Sequence, residues 1–162
     1  DHGEMLGDYE TLYKTDYPFY SLIHIPFILK PAKGIKTPKI YTKPVSNADI
    51  LPTLFSMLKM EKPRYVQGIN IFHDGKENMP MSTCCNLIGK NRSLSIYDDR
   101  YRYTYVVDTQ EEELYDQILD PHEYKNLAYI SEFRAMCDDM KRKVFEKHLK
   151  CENPVFWHYG VW

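Results

Sequence analysis

No apolar run in these 162 residues approaches the roughly 18–20 that a bilayer-spanning helix requires, so no membrane span is expected. Charge of either sign is not in excess. Twenty-one basic side chains face 23 acidic ones, a formal net charge of −2, which removes the electrostatic reason to expect nucleic acid or an anionic membrane as partner. Cysteine is sparse: Cys84, Cys85, Cys137 and Cys151 form no C-x-x-C and no zinc-like spacing. Adjacent Cys84 and Cys85 would be strained as a disulfide, so all four read as buried thiols, and they leave the redox compartment open. There is no internal repeat, no low-complexity stretch and no signal peptide. The chain opens at Asp1 and its first methionine is Met5. A truncated start is therefore expected, with any targeting segment upstream. A cytoplasmic, periplasmic or secreted location and the oligomeric state all stay open.

What is present describes an ordinary folded chain: 43% hydrophobic and 27% charged residues, a length suited to one core, and 14 tyrosines that favour strands and half-buried surfaces. Residues 1–14 read as polar loop with one helical turn. Ile23 to Leu29, broken by Pro26, reads as a buried strand or strand edge. Ser46 to Met60 reads as a helix, with Ile50, Leu51, Leu54, Phe55 and Leu58 on one face and Asp49 as N-cap, which places Pro52 in the first turn. Tyr65–Phe72 reads as another extended piece. Short runs at Thr83–Ile88, Ser93–Asp98, Arg102–Asp108 and Glu113–Tyr115 predict a small antiparallel sheet. A final helix over Ser131–Leu149 carries Phe133, Met136, Cys137, Met140 and Val144 as its core stripe. The aromatic tail 156–162 is expected to pack back onto the fold, and Glu111-Glu112-Glu113 reads as a solvated turn running into a strand.

Chemistry is concentrated at the start. In Asp1-His2-Gly3 a carboxylate and an imidazole can reach one divalent cation if the chain turns sharply, which Gly3 permits. An Asp-His pair by itself is more often an exposed turn, and a lone lysine such as Lys14 is more often solvated. His73, His122, His148 and His158 are isolated and read as structural or exposed.

The pair does not stand alone. Asp1-His2-Gly3-Glu4-Met5-Leu6-Gly7-Asp8, with Lys14 thirteen residues after Asp1, resembles the second metal-binding motif of the sulfatases in the alkaline-phosphatase superfamily. Pro18-Phe19-Tyr20 leading to Ile25-Pro26-Phe27-Ile28 is similar to that family's next strand. Val45-Ser46 through Asp49-Ile50-Leu51-Pro52-Thr53-Leu54 is similar to its V-S-x-x-D-[IL]-x-P-T-[IL] helix, and Val66-Gln67-Gly68 to the loop beyond. Arg100–Tyr103, Glu113-Leu114-Tyr115-Asp116, Asp120-Pro121 and Asn126-Leu127-Ala128 resemble its C-terminal sheet.

The resemblance implies an α/β fold: the C-terminal part of an alkaline-phosphatase-like mixed sheet with helices (1–80), then a small antiparallel β-sheet subdomain with a packed C-terminal helix (81–162). It implies Asp1 and His2 as ligands of a divalent metal, calcium in most accounts of the family, and Lys14 as a catalytic, sulfate-contacting residue. His24 could face the substrate pocket. The implied substrate is a small sulfate ester. The family's formylglycine nucleophile arises from C/S-x-P/A-x-R, which does not occur here, and its Asp-Asp metal ligands are absent too. Both are expected upstream, so this chain alone is expected to be inactive. Tyr9 and Glu10, and Ser21 and Leu22, depart from the family's pattern and leave the substrate open. The alternatives are a phosphonate or phosphate ester hydrolase of the same superfamily, and a non-catalytic interaction domain on this scaffold.

Overall fold

A computed structural model describes residues 2–15, 17–72, 79–84 and 92–152. The expected aromatic tail and Cys85 fall outside these residues.

Four strands form one antiparallel meander in the order β1 (Met81–Cys84), β2 (Ser93–Tyr97), β3 (Tyr101–Val106) and β4 (Glu112–Asp116). Strand pairing sets Ile96 opposite Tyr103 and Tyr103 opposite Leu114. The period-two alternation gives this sheet two different faces. Leu94, Ile96, Tyr103 and Leu114 point to one side and form a core with Cys137, Met140 and Val144 of helix α3 (Arg134–Glu152). That stripe is the one predicted from spacing, and Cys137 is a buried thiol within it. The other face is polar and also buried: Ser93, Ser95, Arg102 and Thr104. Ser95 and Thr104 bridge hydroxyl to hydroxyl at 2.7 Å.

The turns are held by short acidic and amide side chains. Asp98 Oδ1 accepts the Arg100 and Tyr101 amides at 2.7 and 2.5 Å, which closes the β2–β3 hairpin. Asn126 Oδ1 accepts the Leu114 and Ala128 amides, its Nδ2 donates to the Glu112 carbonyl, and Leu127 N–H pairs with the Leu114 carbonyl. Asn126-Leu127-Ala128 thus covers the free edge of β4. Asp116 accepts from Arg100 at 2.9 and 2.5 Å, and this guanidinium holds its carboxyl below the usual carboxylate range.

The Glu111-Glu112-Glu113 run does lead into a strand, as expected, but it is not solvated throughout. Only Glu111 is exposed; Glu112 binds Arg134 and Lys141 of α3 at 2.7 and 3.2 Å, tying helix to sheet, and Glu113 faces Arg102. Strand alternation sends these two carboxylates to opposite faces, each against a cation.

The first half is less regular. Helix α1 (Tyr20–Ile23) is a single turn, and residues 24–30 belong to no helix and join no strand ladder, contrary to the strand expected over 23–29. A strand exists only beside a neighbour that shares its hydrogen bonds, and none flanks this segment among the described residues. Ile28 is 91% exposed. The segment 65–72 is likewise not a strand.

Helix α2 (Ile50–Met57) follows a 3-10 turn at Asn47–Asp49. Asp49 stands at the N-cap position of α2, as expected, but makes no side-chain cap bond there; the capping side chain is that of Ser46, which caps the 3-10 turn. Asp49 completes a reciprocal capping box by accepting the Ser46 amide at 2.9 Å. Its other oxygen accepts the Ile69 amide at 2.9 Å, while Thr53 Oγ accepts the Ile71 amide at 3.1 Å. Gly68, at φ 82, passes so close to the Ala48 carbonyl that no Cβ would fit. The conspicuous S-x-x-D-x-x-x-T pattern is therefore scaffold: it straps the 68–71 loop onto the start of α2. Asp49→Ala is expected to cost roughly 2–4 kcal/mol, from one lost cap and one orphaned buried amide. Urea unfolding measures it, and a loss under about 1 kcal/mol would contradict this account.

The apolar face of α2 is only partly covered. Pro52 and Thr53 are buried, whereas Leu51, Leu54 and Leu58 lie exposed. Spacing identifies which side of a helix is apolar; it does not supply the surface that covers it.

Candidate functional site

The first described residues form a loop seated on α1. Gly3 N–H donates to the Leu22 carbonyl at 2.7 Å, and a Cβ at position 3 would run into the Ser21 carbonyl oxygen. Glycine is required here because backbone meets backbone. Met5 is buried beneath the loop, and Ser21 Oγ donates to Asp8. Asp8–Glu10 is the single helix-like turn expected from sequence, with Tyr9 and Glu10 left-handed at φ 52 and 59. Each costs about 1–2 kcal/mol for an L-residue, so side-chain contacts must hold this turn. The Tyr9 ring stacks on Phe19 at 4.4 Å, and its hydroxyl donates to the His122 carbonyl.

Of the four site residues expected from sequence, Asp1 lies outside the described residues. His2 is exposed, and its Nδ1 lies 2.7 Å from the Gly3 carbonyl. A carbonyl can only accept, so this nitrogen carries the proton. The resulting tautomer places a lone pair on Nε2, the atom a cation would take. His24 ends α1, exposed, with its ring stacked on Tyr20 at 4.5 Å. The Gly3–Leu22 bond brings the His2 and His24 segments to the same short helix. Lys14 is exposed and makes no hydrogen bond or ion pair with another described residue.

Among the described residues no three His, Cys, Asp or Glu side chains converge on a metal position. One imidazole fits a cation site as a partial donor; it does not complete one. No helix among them is long and apolar enough to cross a membrane.

Sequence reasoning missed the polar face of the sheet. Arg102 and Glu123, with side chains 1% exposed, form an ion pair at 2.5 Å beneath the loop's Tyr9 contact. Arg102 stood in a strand pattern and Glu123 in a loop, 21 residues apart, and no local rule joins two such positions.

No protein-family model matches the chain. The Δ4,5-hexuronate-2-O-sulfatase of Bacteroides thetaiotaomicron is 28% identical over 161 residues, covering 86% of this chain and 33% of its own length. The arylsulfatase of Clostridium perfringens is 26% identical over 163 residues, covering 93% and 32%. A Bacteroides fragilis structure assigned to the sulfatases superposes with a TM-score of 0.78 at 26% identity, over 98% of this chain and 36% of that one. The chain spans about a third of the length of these relatives. Across most of its length it is homologous to sulfatases of the alkaline-phosphatase superfamily, and its fold is theirs.

Proposed function

We propose that this chain is one part of a sulfuric ester hydrolase, supplying cation ligands at Asp1 and His2 and a sulfate-binding ammonium at Lys14. The carrying observation is the seating of the His2-Gly3 backbone on α1, within a chain homologous to sulfatases over most of its length. A loop held backbone to backbone can present an imidazole in one orientation, as a ligand requires. Residues 1–80 would carry the site and 81–162 support it.

A sulfate ester is anionic. It repels a nucleophile, and charge builds on its bridging oxygen as the S–O bond breaks. A bound divalent cation supplies electrostatic stabilisation of that charge. The chain's own residues do the rest. His2 keeps its ring oriented through the Nδ1–H bond to Gly3, Lys14 brings a positive charge to the sulfate oxygens, and His24 lines the approach. The Asp1 carboxylate suits calcium, while the His2 imidazole suits a first-row transition metal better.

The nucleophile is proposed to lie in a part of the protein that this chain does not contain. The open apolar surface supports that reading. Phe27, Ile28, Ile40, Leu51, Leu54 and Leu58 are exposed, which is what a contact surface for further polypeptide looks like.

Manganese titration of the 162-residue chain, followed by broadening of the His2 ring resonances, tests the ligand assignment. Binding is expected to be weak and lost in His2→Ala. The chain alone is expected to hydrolyse no aryl sulfate. Binding that survives His2→Ala unchanged, or turnover by the isolated chain, would refute the assignment.

A further inference from the structure

Arg102 and Glu123 put one charge of each sign inside the fold. Arg102 Nε and Nη2 donate to the two oxygens of Glu123 at 2.5 and 2.6 Å. Nη1 donates to Thr104 Oγ at 2.6 Å, and the guanidinium lies 4.8 Å from the Tyr115 ring centroid. Gln117 Nε2 donates to the same carboxylate at 2.5 Å. A two-pronged arginine fork sets orientation as well as distance.

What the fork orients is a turn. Glu123 has φ 57, a conformation that a non-glycine residue keeps only where its surroundings hold it. Its amide closes the turn on the Asp120 carbonyl at 3.0 Å. The preceding residue, His122, offers its carbonyl to the Tyr9 hydroxyl. Tyr9 is itself left-handed and stacks on Phe19, the residue at the start of α1, and α1 holds Gly3. A continuous set of contacts therefore runs from the interior of the sheet to the residue beside His2.

We propose that the Arg102–Glu123 ion pair is a positioning device for the His2 loop, acting through the 120–123 turn and the bond from the Tyr9 hydroxyl to the His122 carbonyl. This rests on the reading of His2 as a cation ligand. Both side chains are buried, so the role assigned to them is positioning rather than contact with substrate. The Tyr9 hydroxyl suits this role, because burial, and then the Glu123 carboxylate, push its pKa up to about 12 and keep it a donor across the physiological range.

Two variants of the 162-residue chain test the proposal. Tyr9→Phe deletes only the hydroxyl, and Glu123→Gln keeps the shape of the turn while removing half of the fork. The readouts are hydrogen exchange at the Gly3 amide, manganese broadening at His2, and exchange of the α3 amides as a control. Loss of one positioning bond is expected to speed Gly3 exchange about tenfold in Tyr9→Phe and to weaken manganese binding by a similar factor, with α3 amides unchanged. Glu123→Gln should reproduce the loop effect even if it also lowers global stability. An unchanged Gly3 amide in Tyr9→Phe, or one already unprotected in the parent, overturns the proposal and leaves the pair merely structural. Absence of manganese broadening in the parent defeats the ligand reading instead, and Gly3 exchange still decides the positioning claim.

Discussion

Replacing Lys14 by alanine, in a catalytically complete protein that carries this chain, is expected to slow aryl sulfate turnover by about three orders of magnitude. That magnitude follows from one charge about 4 Å from the sulfate oxygens at an effective dielectric near 20, worth roughly 4 kcal/mol if expressed at the transition state. The ammonium acts where charge develops, so the loss should fall mainly on kcat rather than KM. Stability should not change, because Lys14 is exposed and makes no hydrogen bond or ion pair with another described residue. Lys14→Arg keeps the charge but changes its geometry and should recover part of the rate. A Lys14→Ala variant within tenfold of the parent would remove this residue from the proposed site.

Arg102→Met is expected to destabilise the chain by roughly 3–5 kcal/mol, because it strands the Glu123 carboxylate where water cannot reach it. Against a total stability of about 5–15 kcal/mol that is a large fraction, and Tm should fall by about 10 °C or more. The loss is a penalty for isolating one charge rather than the net worth of the pair. Arg102→Met combined with Glu123→Leu should therefore recover much of what the single variant loses. Denaturant unfolding of the three proteins decides it. A single variant that costs under about 1 kcal/mol, or a double no more stable than the single, would show that the pair is not desolvated as described. The double variant also separates stability from positioning, since it restores packing but not the fork that holds the 120–123 turn.

Much of the second half was legible in order along the chain. Strands expected at 93–98, 102–108 and 113–115 are found at 93–97, 101–106 and 112–116, because alternation and turn residues such as Asp98 act within a few positions of one another. The stripe of α3 was legible for the same reason. Three features depend on another surface, which no local pattern contains. Residues 24–30 join no ladder, the leucines of α2 face outward, and Glu112 and Glu113 are held by cations from α3 and β3. Asp49 was recognised as a helix-start residue, but its bond to Ile69, twenty positions away, belongs to no local pattern.

At the candidate site the division is similar. His2, Lys14 and His24 were picked out by the chain's resemblance to the sulfatases, which a short string of residues carries. Their placement was not contained in that string. Gly3 against the Ser21 carbonyl, Tyr9 on the His122 carbonyl, and Arg102 forked onto Glu123 all join segments distant in the chain. Hydrophobic period, turn chemistry and motif spacing are properties of neighbours along a polymer, and the residues alone were enough to establish them. Which buried charge finds which partner, and which loop rests on which turn, depends on the free energy of removing those groups from water together. That is settled only when the whole chain has packed.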